Sequence, residues 1–246
     1  MNKLPYIEQD QEGLHTLEAV GRAHKFNRWM YQQVQPWMGG KILEIGSGIG
    51  NLSEFFLDDG ADITLSDIRK HYCDELKRRF SGHKSLKEVV VLDLVHPDFD
   101  QQYASYFNTY DSAFALNVVE HIEDDTLAMQ NLYKLLKPGG RVLILVPAGP
   151  ALYNGIDRSL LHFRRYRRQE LESLFIRTLF KPERTWMFNA LGIPAWWFSG
   201  TLLRNHLIGD GQMDTYDKLV PLAKILDKLV FNKIGLSVIT LGQKVK

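Results

Sequence analysis

The alternation of apolar runs with helical segments between residues 41 and 147 predicts an α/β protein with a doubly wound, mostly parallel sheet. Two observations carry this reading. Short apolar runs read as strands at 41–46, 62–66, 88–93, 110–116 and 140–147, with helical segments at 51–59, 69–80 and 123–136 between them. Between the first strand and the first of these helices lies Glu44-Ile45-Gly46-Ser47-Gly48-Ile49-Gly50. A strand, a glycine-rich turn and a helix in that order make a nucleotide-binding corner. Glycine lets the backbone turn tightly and approach a ligand, and the helix N-terminus offers unpaired N–H groups.

Ahead of this core, Leu14, Leu17, Val20, Ala23, Phe26, Met30 and Val34 recur at three- and four-residue steps. They predict one amphipathic helix ending before Pro36, within an N-terminal helical cap at 1–39. Gly39-Gly40 releases the chain into the first strand. After Pro147 the pattern changes: Ala148–Tyr166 reads as a functional loop, Arg168–Leu179 as a helix and Thr185–Phe188 as a sixth strand. Leu236–Leu241 is a further apolar strand, which leaves 189–234 as an insertion too long for a hairpin loop. The expected organisation is one domain over 1–246: cap, core at 40–147, rim and sixth strand at 148–188, insertion at 189–234 and last strand at 235–246.

Composition narrows the function classes. The chain has 246 residues, 45% hydrophobic and 24% charged, with a formal net charge of +1. That balance gives no general electrostatic case for nucleic acid or an acidic membrane. The single cysteine, Cys73, excludes an intramolecular disulfide and suits a reducing compartment. Met1–Gly13 is polar and acidic, unlike a secretory signal, so a cytoplasmic location is expected. His71, His83, His96, His121 and His162 are scattered, with no paired ligand spacing on one helix. No metal site is expected.

The glycine corner alone leaves the ligand open. A dinucleotide fingerprint needs Gly-x-Gly-x-x-Gly, and here Gly50 comes one residue early while Asn51 stands at the later position. Five ordered segments narrow it: the Glu44–Gly50 loop, Asp67 closing the second strand, Asp93-Leu94 closing the third, Asn117 followed by Val118-Val119-Glu120-His121, and Leu135–Leu143 with its Lys-Pro-Gly-Gly turn. Together they resemble the class I S-adenosylmethionine (SAM)-dependent methyltransferases over residues 40–147.

The resemblance implies a seven-stranded Rossmann-like fold whose last strand is antiparallel. It assigns SAM contacts to Glu44, Gly46, Ser47, Gly48, Gly50, Asn51, Asp67, Ile68, Asp93, Leu94 and Asn117. Asp67 would accept both ribose hydroxyls of the adenosine and Asp93 would meet the adenine amine. Capping of a turn alone would also account for Asp93. Asp124 and Asp125 fit the first turn of a helix, where acids complement the dipole. The magnesium-binding branch of the family carries an acid where this chain has Asn117.

For the acceptor side, His162-Phe163-Arg164-Arg165-Tyr166 follows the fifth strand and resembles a His-x-Arg-Arg-Tyr element of a bacterial methyltransferase subgroup. His162 is a candidate general base, with His121 its rival. Trp29, Tyr31, Tyr153, Arg165, Tyr166 and Trp196 are candidates for substrate contact. Thr185–Leu203 holds no charged residue and includes Trp186, Trp196 and Trp197; Asn189, Gly192, Pro194, Ser199, Gly200 and Thr201 interrupt it, arguing against a membrane span. The insertion reads as a lid over a hydrophobic acceptor, a dimer contact or a surface meeting lipid headgroups, with plain core packing as the alternative. The expected activity is SAM-dependent methylation of a small, apolar or aromatic acceptor, first at oxygen. Nitrogen or carbon methylation and a non-catalytic SAM-fold binder stay open.

Overall fold

The computed structural model describes residues 11–207 and 211–245. The expectations for residues 1–10, 208–210 and 246 lie outside the described residues. The chain opens with helices α1 (Gln11–Arg22) and α2 (His24–Val34), and a 3₁₀ turn (Gln35–Trp37) contains Pro36. The core follows as β1 (Ile42–Ile45), α3 (Ser53–Asp58), β2 (Ile63–Asp67), α4 (Lys70–Arg79), β3 (Leu86–Val91), α5 (Phe99–Gln102), β4 (Tyr110–Leu116), α6 (Asp125–Leu135) and β5 (Leu136–Pro147). Beyond it lie α7 (Gly155–Ser159), α8 (Arg168–Arg177), β6 (Phe180–Phe188), α9 (Gly192–Trp196), a π-helical turn (Trp197–Leu202), α10 (Gln212–Leu229) and β7 (Ser237–Lys244).

The seven strands form one sheet in the order β3-β2-β1-β4-β5-β7-β6. The first five pair in parallel, and β7 runs antiparallel to both β5 and β6. Strand order reverses between β1 and β4, where loops leave opposite faces and open a crevice at the carboxyl ends. β1 and β2 are buried along their whole length, as a strand covered on both faces must be. One apolar core packs α6 and α8 against one face, and a second packs α2, α3 and α4 against the other.

Three local expectations change. The single N-terminal helix is two, broken at Ala23, whose ψ of 72° leaves the helical region. The Asn27 side chain donates to the Val20 carbonyl at 2.8 Å, satisfying an acceptor that the break releases. Gly21 permits the close approach behind it, because a Cβ there would sit 2.9 Å from Asn51 Oδ1. The fifth strand starts at Leu136 rather than 140, with a register shift between Tyr110 and Ser112 of β4 accommodating Pro138-Gly139-Gly140. The sixth strand is longer than read and starts at Phe180 because its partner β7 extends to Lys244, opposite that residue.

The insertion is fastened at the end of β6. Asp227 of α10 is buried, and its carboxylate accepts the Asn189 and Ala190 backbone N–H groups, both at 2.7 Å. α10 also accepts the Phe26 N–H through Asp217 at 2.8 Å and packs Tyr216 edge-on against Phe26. The cap and the insertion therefore make one helical layer above the strand ends. Among the described residues, no helix is long and apolar enough to cross a membrane. Asp227→Ala is expected to strand two buried donors and lower stability by roughly 2–4 kcal/mol, measured by denaturant unfolding. A loss under about 0.5 kcal/mol would mean that the clamp carries little of the attachment.

Candidate functional site

The strand ends open into a cavity of about 1720 Å³ that runs from the glycine loop to the underside of α9 and α10. At one end the backbone geometry demands glycine. Gly46 has φ +71°, and a Cβ on it would lie 2.3 Å from Val118 Cγ2. Gly48 has φ +53°, and its N–H donates to Asp67 Oδ2 at 3.0 Å, so the loop is tied to the end of β2. The second Asp67 oxygen accepts the Arg69 N–H at 2.9 Å. Burial raises the Asp67 pKa, opposed by these two N–H groups.

Glu44 lies beneath the loop and accepts from Ser53 Oγ at 2.5 Å. Burial pushes its pKa up to about 7, with Ser53 and Ser47 hydrogen bonds resisting. Asp93 Oδ1 accepts the Val95 N–H at 2.9 Å, the capping turn considered from sequence, yet the residue also lines the cavity. Asn117 follows β4 with φ +54°, a left-handed residue that turns the chain along the cavity wall. Of the expected cofactor residues, Glu44, Gly46, Ser47, Gly48, Asn51, Asp67, Ile68, Asp93, Leu94 and Asn117 all line this cavity. Gly50 does not. Its φ of +86° turns the chain into α3, and a Cβ would strike the Phe80 ring at 2.6 Å.

The middle of the cavity holds a polar cluster assembled from two distant segments. The loop after β4 brings His121 to the wall with Glu120 buried behind it, and the segment after α7 brings His162 and Arg165. The Phe163 N–H donates to the Glu120 carbonyl at 2.8 Å and joins the two. Asp157, fully buried, organises the second segment. Its Oδ1 meets His162 Nδ1 at 2.9 Å and accepts from Arg165 Nε at 2.8 Å, while Oδ2 accepts the Asn154 N–H at 3.0 Å. Burial alone would raise the Asp157 pKa; the His162 and Arg165 partners hold it below the usual range.

Glu120 is the unexpected member. It is wholly buried, and neither carboxylate oxygen has a hydrogen-bond partner among the described residues. Burial pushes its pKa up to about 7 against the pull of His162 and Arg165. The nearest ionisable contact is His162 Nε2, at 4.0 Å from Oε1. His121 packs edge-on to His162, with ring centroids 4.6 Å apart. The surrounding protein and the neighbouring His162 lower the His121 pKa, though the ring keeps surface open to the cavity. The sequence motif held Glu120-His121, but residue order gave no sign that His162 would close on the pair.

The far wall is apolar, with Leu160, Phe198, Met213 and Leu219 among its residues. Trp196 crosses from the insertion, donates Nε1–H to the Leu152 carbonyl at 3.2 Å and lies under the Arg165 guanidinium at 4.5 Å. Tyr153, Arg165 and Trp196 thus reach the cavity as expected. Three expected substrate contacts do not. Trp29 and Tyr31 face the core, where Trp29 packs at a tilt against Phe188 and Tyr31 packs against Phe55 and Phe56. Tyr166 is buried and donates to Asp125 Oδ2 at 2.9 Å. Asp125 accordingly does more than meet a helix dipole, since it also accepts from Arg164 and Arg177. Asp124 caps α6 through the Leu127 N–H, in keeping with its place at a helix start, and Arg167 and Arg168 pair at the surface with Glu170 and Glu172.

Comparison with known proteins places this geometry. Residues 43–142 match a family model described as a methyltransferase domain. The ubiquinone biosynthesis O-methyltransferase of Pectobacterium atrosepticum is 27% identical over 114 residues, 46% of this chain and 45% of that protein. A S-adenosyl-L-methionine-dependent Diels-Alderase of Talaromyces variabilis is 26% identical over 122 residues, 48% of this chain and 41% of that protein. The matched stretch spans less than half the length of these relatives.

Among solved structures, phosphoethanolamine N-methyltransferase 2 of Haemonchus contortus in complex with S-adenosyl-L-methionine superposes with a TM-score of 0.58 at 18% identity, covering 90% of this chain and 52% of that one. Geranyl diphosphate C-methyltransferase of Streptomyces coelicolor A3(2), in complex with Mg²⁺, geranyl diphosphate and S-adenosyl-L-homocysteine, gives 0.60 at 12% identity, covering 89% and 77%. The fold is the Rossmann-like methyltransferase fold. The matches support an enzyme of the SAM-dependent methyltransferase kind.

Proposed function

We propose that the protein transfers a methyl group from SAM to a hydroxyl of a small, predominantly apolar acceptor. The observation that carries this reading is the single cavity with a cofactor-like end, a polar middle and an apolar far wall. Its volume of about 1720 Å³ exceeds the ~300–1,000 Å³ of an ordinary ligand pocket, leaving room for two molecules side by side. Adenosine would lie between the glycine loop, Asp67 and Asp93, with its sulfonium directed toward His121 and His162. The acceptor would enter against Trp196 and the apolar wall. In the reaction the oxygen–carbon bond forms as the carbon–sulfur bond breaks, and the cofactor leaves as a neutral thioether.

The cofactor supplies the activated methyl, and alignment of the two reactants is worth ~7–11 kcal/mol. The acceptor proton must also leave. With Asp157 held against Nδ1, His162 presents Nε2 to the cluster, the orientation a base requires. Nitrogen or carbon methylation would use the same cavity with different demands on that base. The Diels-Alderase among the relatives is the reason a binding role without methyl transfer is kept as the second reading.

The apolar wall continues outside. Leu219, Leu222, Ile225 and Leu229 are exposed along one side of α10, and Phe231 and Ile234 extend the stripe beyond its end. Lys218, Lys228 and Lys233 lie along the same stretch. An exposed apolar face with basic neighbours suits a helix lying in a headgroup layer, from which an apolar acceptor would pass beneath the insertion.

Three outcomes are expected. Asp67→Ala should weaken SAM binding by ~1.5–3 kcal/mol for each charge-assisted bond lost, and unchanged affinity by calorimetry would reject the ribose assignment. His162→Ala should slow turnover by ~10²–10⁴-fold with SAM affinity preserved; an equal loss confined to His121→Ala would transfer the role to that residue. Flotation with anionic vesicles should carry the wild-type chain upward and fail when Leu222, Ile225 and Leu229 are all changed to Ser. Wild-type protein remaining at the bottom would remove the membrane from the proposal while leaving the enzyme intact.

A further inference from the structure

Glu120, His121 and His162 each offer one ligand atom, and the three atoms lie within 4.8 Å of one another. The Glu120 carboxylate is wholly buried, and neither of its oxygens finds a hydrogen-bond donor among the described residues. A carboxylate in that position is costly unless something positive meets it. The protein does not supply that partner directly. His162 Nε2 stands 4.0 Å from Oε1, too far for a hydrogen bond. With Nδ1 at 2.9 Å from the Asp157 carboxylate, the neutral ring carries its proton there and leaves a lone pair on Nε2. A lone pair and an unpaired carboxylate oxygen thus face the same small space, with His121 at its side.

Charge leads the same way. The buried charged groups of the cluster are the carboxylates of Glu120 and Asp157 and the guanidinium of Arg165, which is already committed to Asp157. With Glu120 ionised, one negative charge is left over. A carboxylate behind a metal-ligating imidazole is also a recurrent outer-shell arrangement, because it fixes the ring and makes the coordinating nitrogen more basic.

We propose that Glu120, His121 and His162 bind one divalent transition-metal ion of the zinc or iron(II) kind, with its remaining coordination positions open to the cavity. Two imidazoles and one carboxylate suit such an ion better than magnesium or calcium, which favour oxygen ligands. At ~2.0–2.2 Å from the ion, the ligands of a tetrahedral site lie ~3.4 Å apart, so binding draws the three side chains closer than the observed spacing of up to 4.8 Å. Three protein ligands with an open position is the arrangement of a site that receives a ligand rather than a purely structural one. Binding of the ion stands independently of methyl transfer; its role rests on that reading. In the loaded protein Nε2 is a ligand, and an acceptor oxygen takes the open position beside the methyl group.

The test uses the full, untagged chain stripped with a chelator and titrated with Co²⁺, followed by calorimetry and visible absorption, with S-adenosylhomocysteine affinity measured in parallel. The expected result is one Co²⁺ per chain with d–d absorption bands. His121→Ala, at a residue open to the cavity, should weaken it by at least ~10-fold and alter the spectrum, and Asp157→Asn should weaken it by ~10–100-fold. S-adenosylhomocysteine binding by His121→Ala at wild-type affinity shows that this variant is folded. No Co²⁺ binding below about 1 mM would overturn the proposal, as would an ion whose affinity and spectrum are unchanged in His121→Ala. Co²⁺ binding that depends on His121 in a chain without affinity for S-adenosylhomocysteine would sustain the ion and reject the methyl-transfer reading instead.

Discussion

The acceptor half of the cavity depends on one buried carboxylate. Asp157 receives the Asn154 N–H, the Arg165 guanidinium and the His162 ring at once. Arg165 reaches on to the Ala148 carbonyl, just past β5, and lies over Trp196 of the insertion. A single side chain therefore joins the edge of the parallel sheet, the segment after it and the helical roof. Such sharing is stable because every oxygen is paired with a donor, and a buried charge with matched hydrogen bonds avoids most of its desolvation cost. It also sets the imidazole orientation.

Glu120 presents the opposite case within a few ångströms. It has the burial of Asp157 without the donors, and its pKa moves up to about 7 where that of Asp157 moves down. Two acids in one cluster are thereby set to different tasks by their surroundings alone. Asp157 holds the architecture, and Glu120 lies buried beside His162, behind the cavity wall.

The geometry of the glycine-loop end was legible because its signals are local. Glycines with positive φ, an acid closing a strand and a turn before a helix are each set by neighbouring residues, so Gly46, Gly48, Asp67 and Asn117 could be placed from spacing. The aromatic residues could not. Trp29 and Tyr31 belong to an amphipathic helix, and periodicity tells which face is apolar without telling what that face meets. Phe188 and Phe56 occupy the places read as substrate. Tyr166 was misplaced for a related reason: its partner Asp125 lies far away in sequence and had a sufficient explanation as a helix-start acid. The gathering of Glu120, His121 and His162 is a tertiary event, created by the backbone bond between Phe163 and Glu120. A spacing rule for ligands on one helix has no access to it. The signal that was available is the lone Glu inside the apolar run Val118-Val119-Glu120, a charge where burial was to be expected.

β6 and β7 lie side by side at the far edge of the sheet, and the insertion leaves one and returns to the other. Its departure and return are therefore neighbours, and the strand pairing persists whatever is looped out between them. The proposed cofactor residues, by contrast, sit mostly at the ends of β1, β2 and β4, away from that edge of the sheet. This division gives the two ends of the cavity unequal freedom to diverge. Descendants of such a chain can exchange the roof, and with it the shape admitted, by altering one stretch of sequence, while the glycine-loop end is inherited intact.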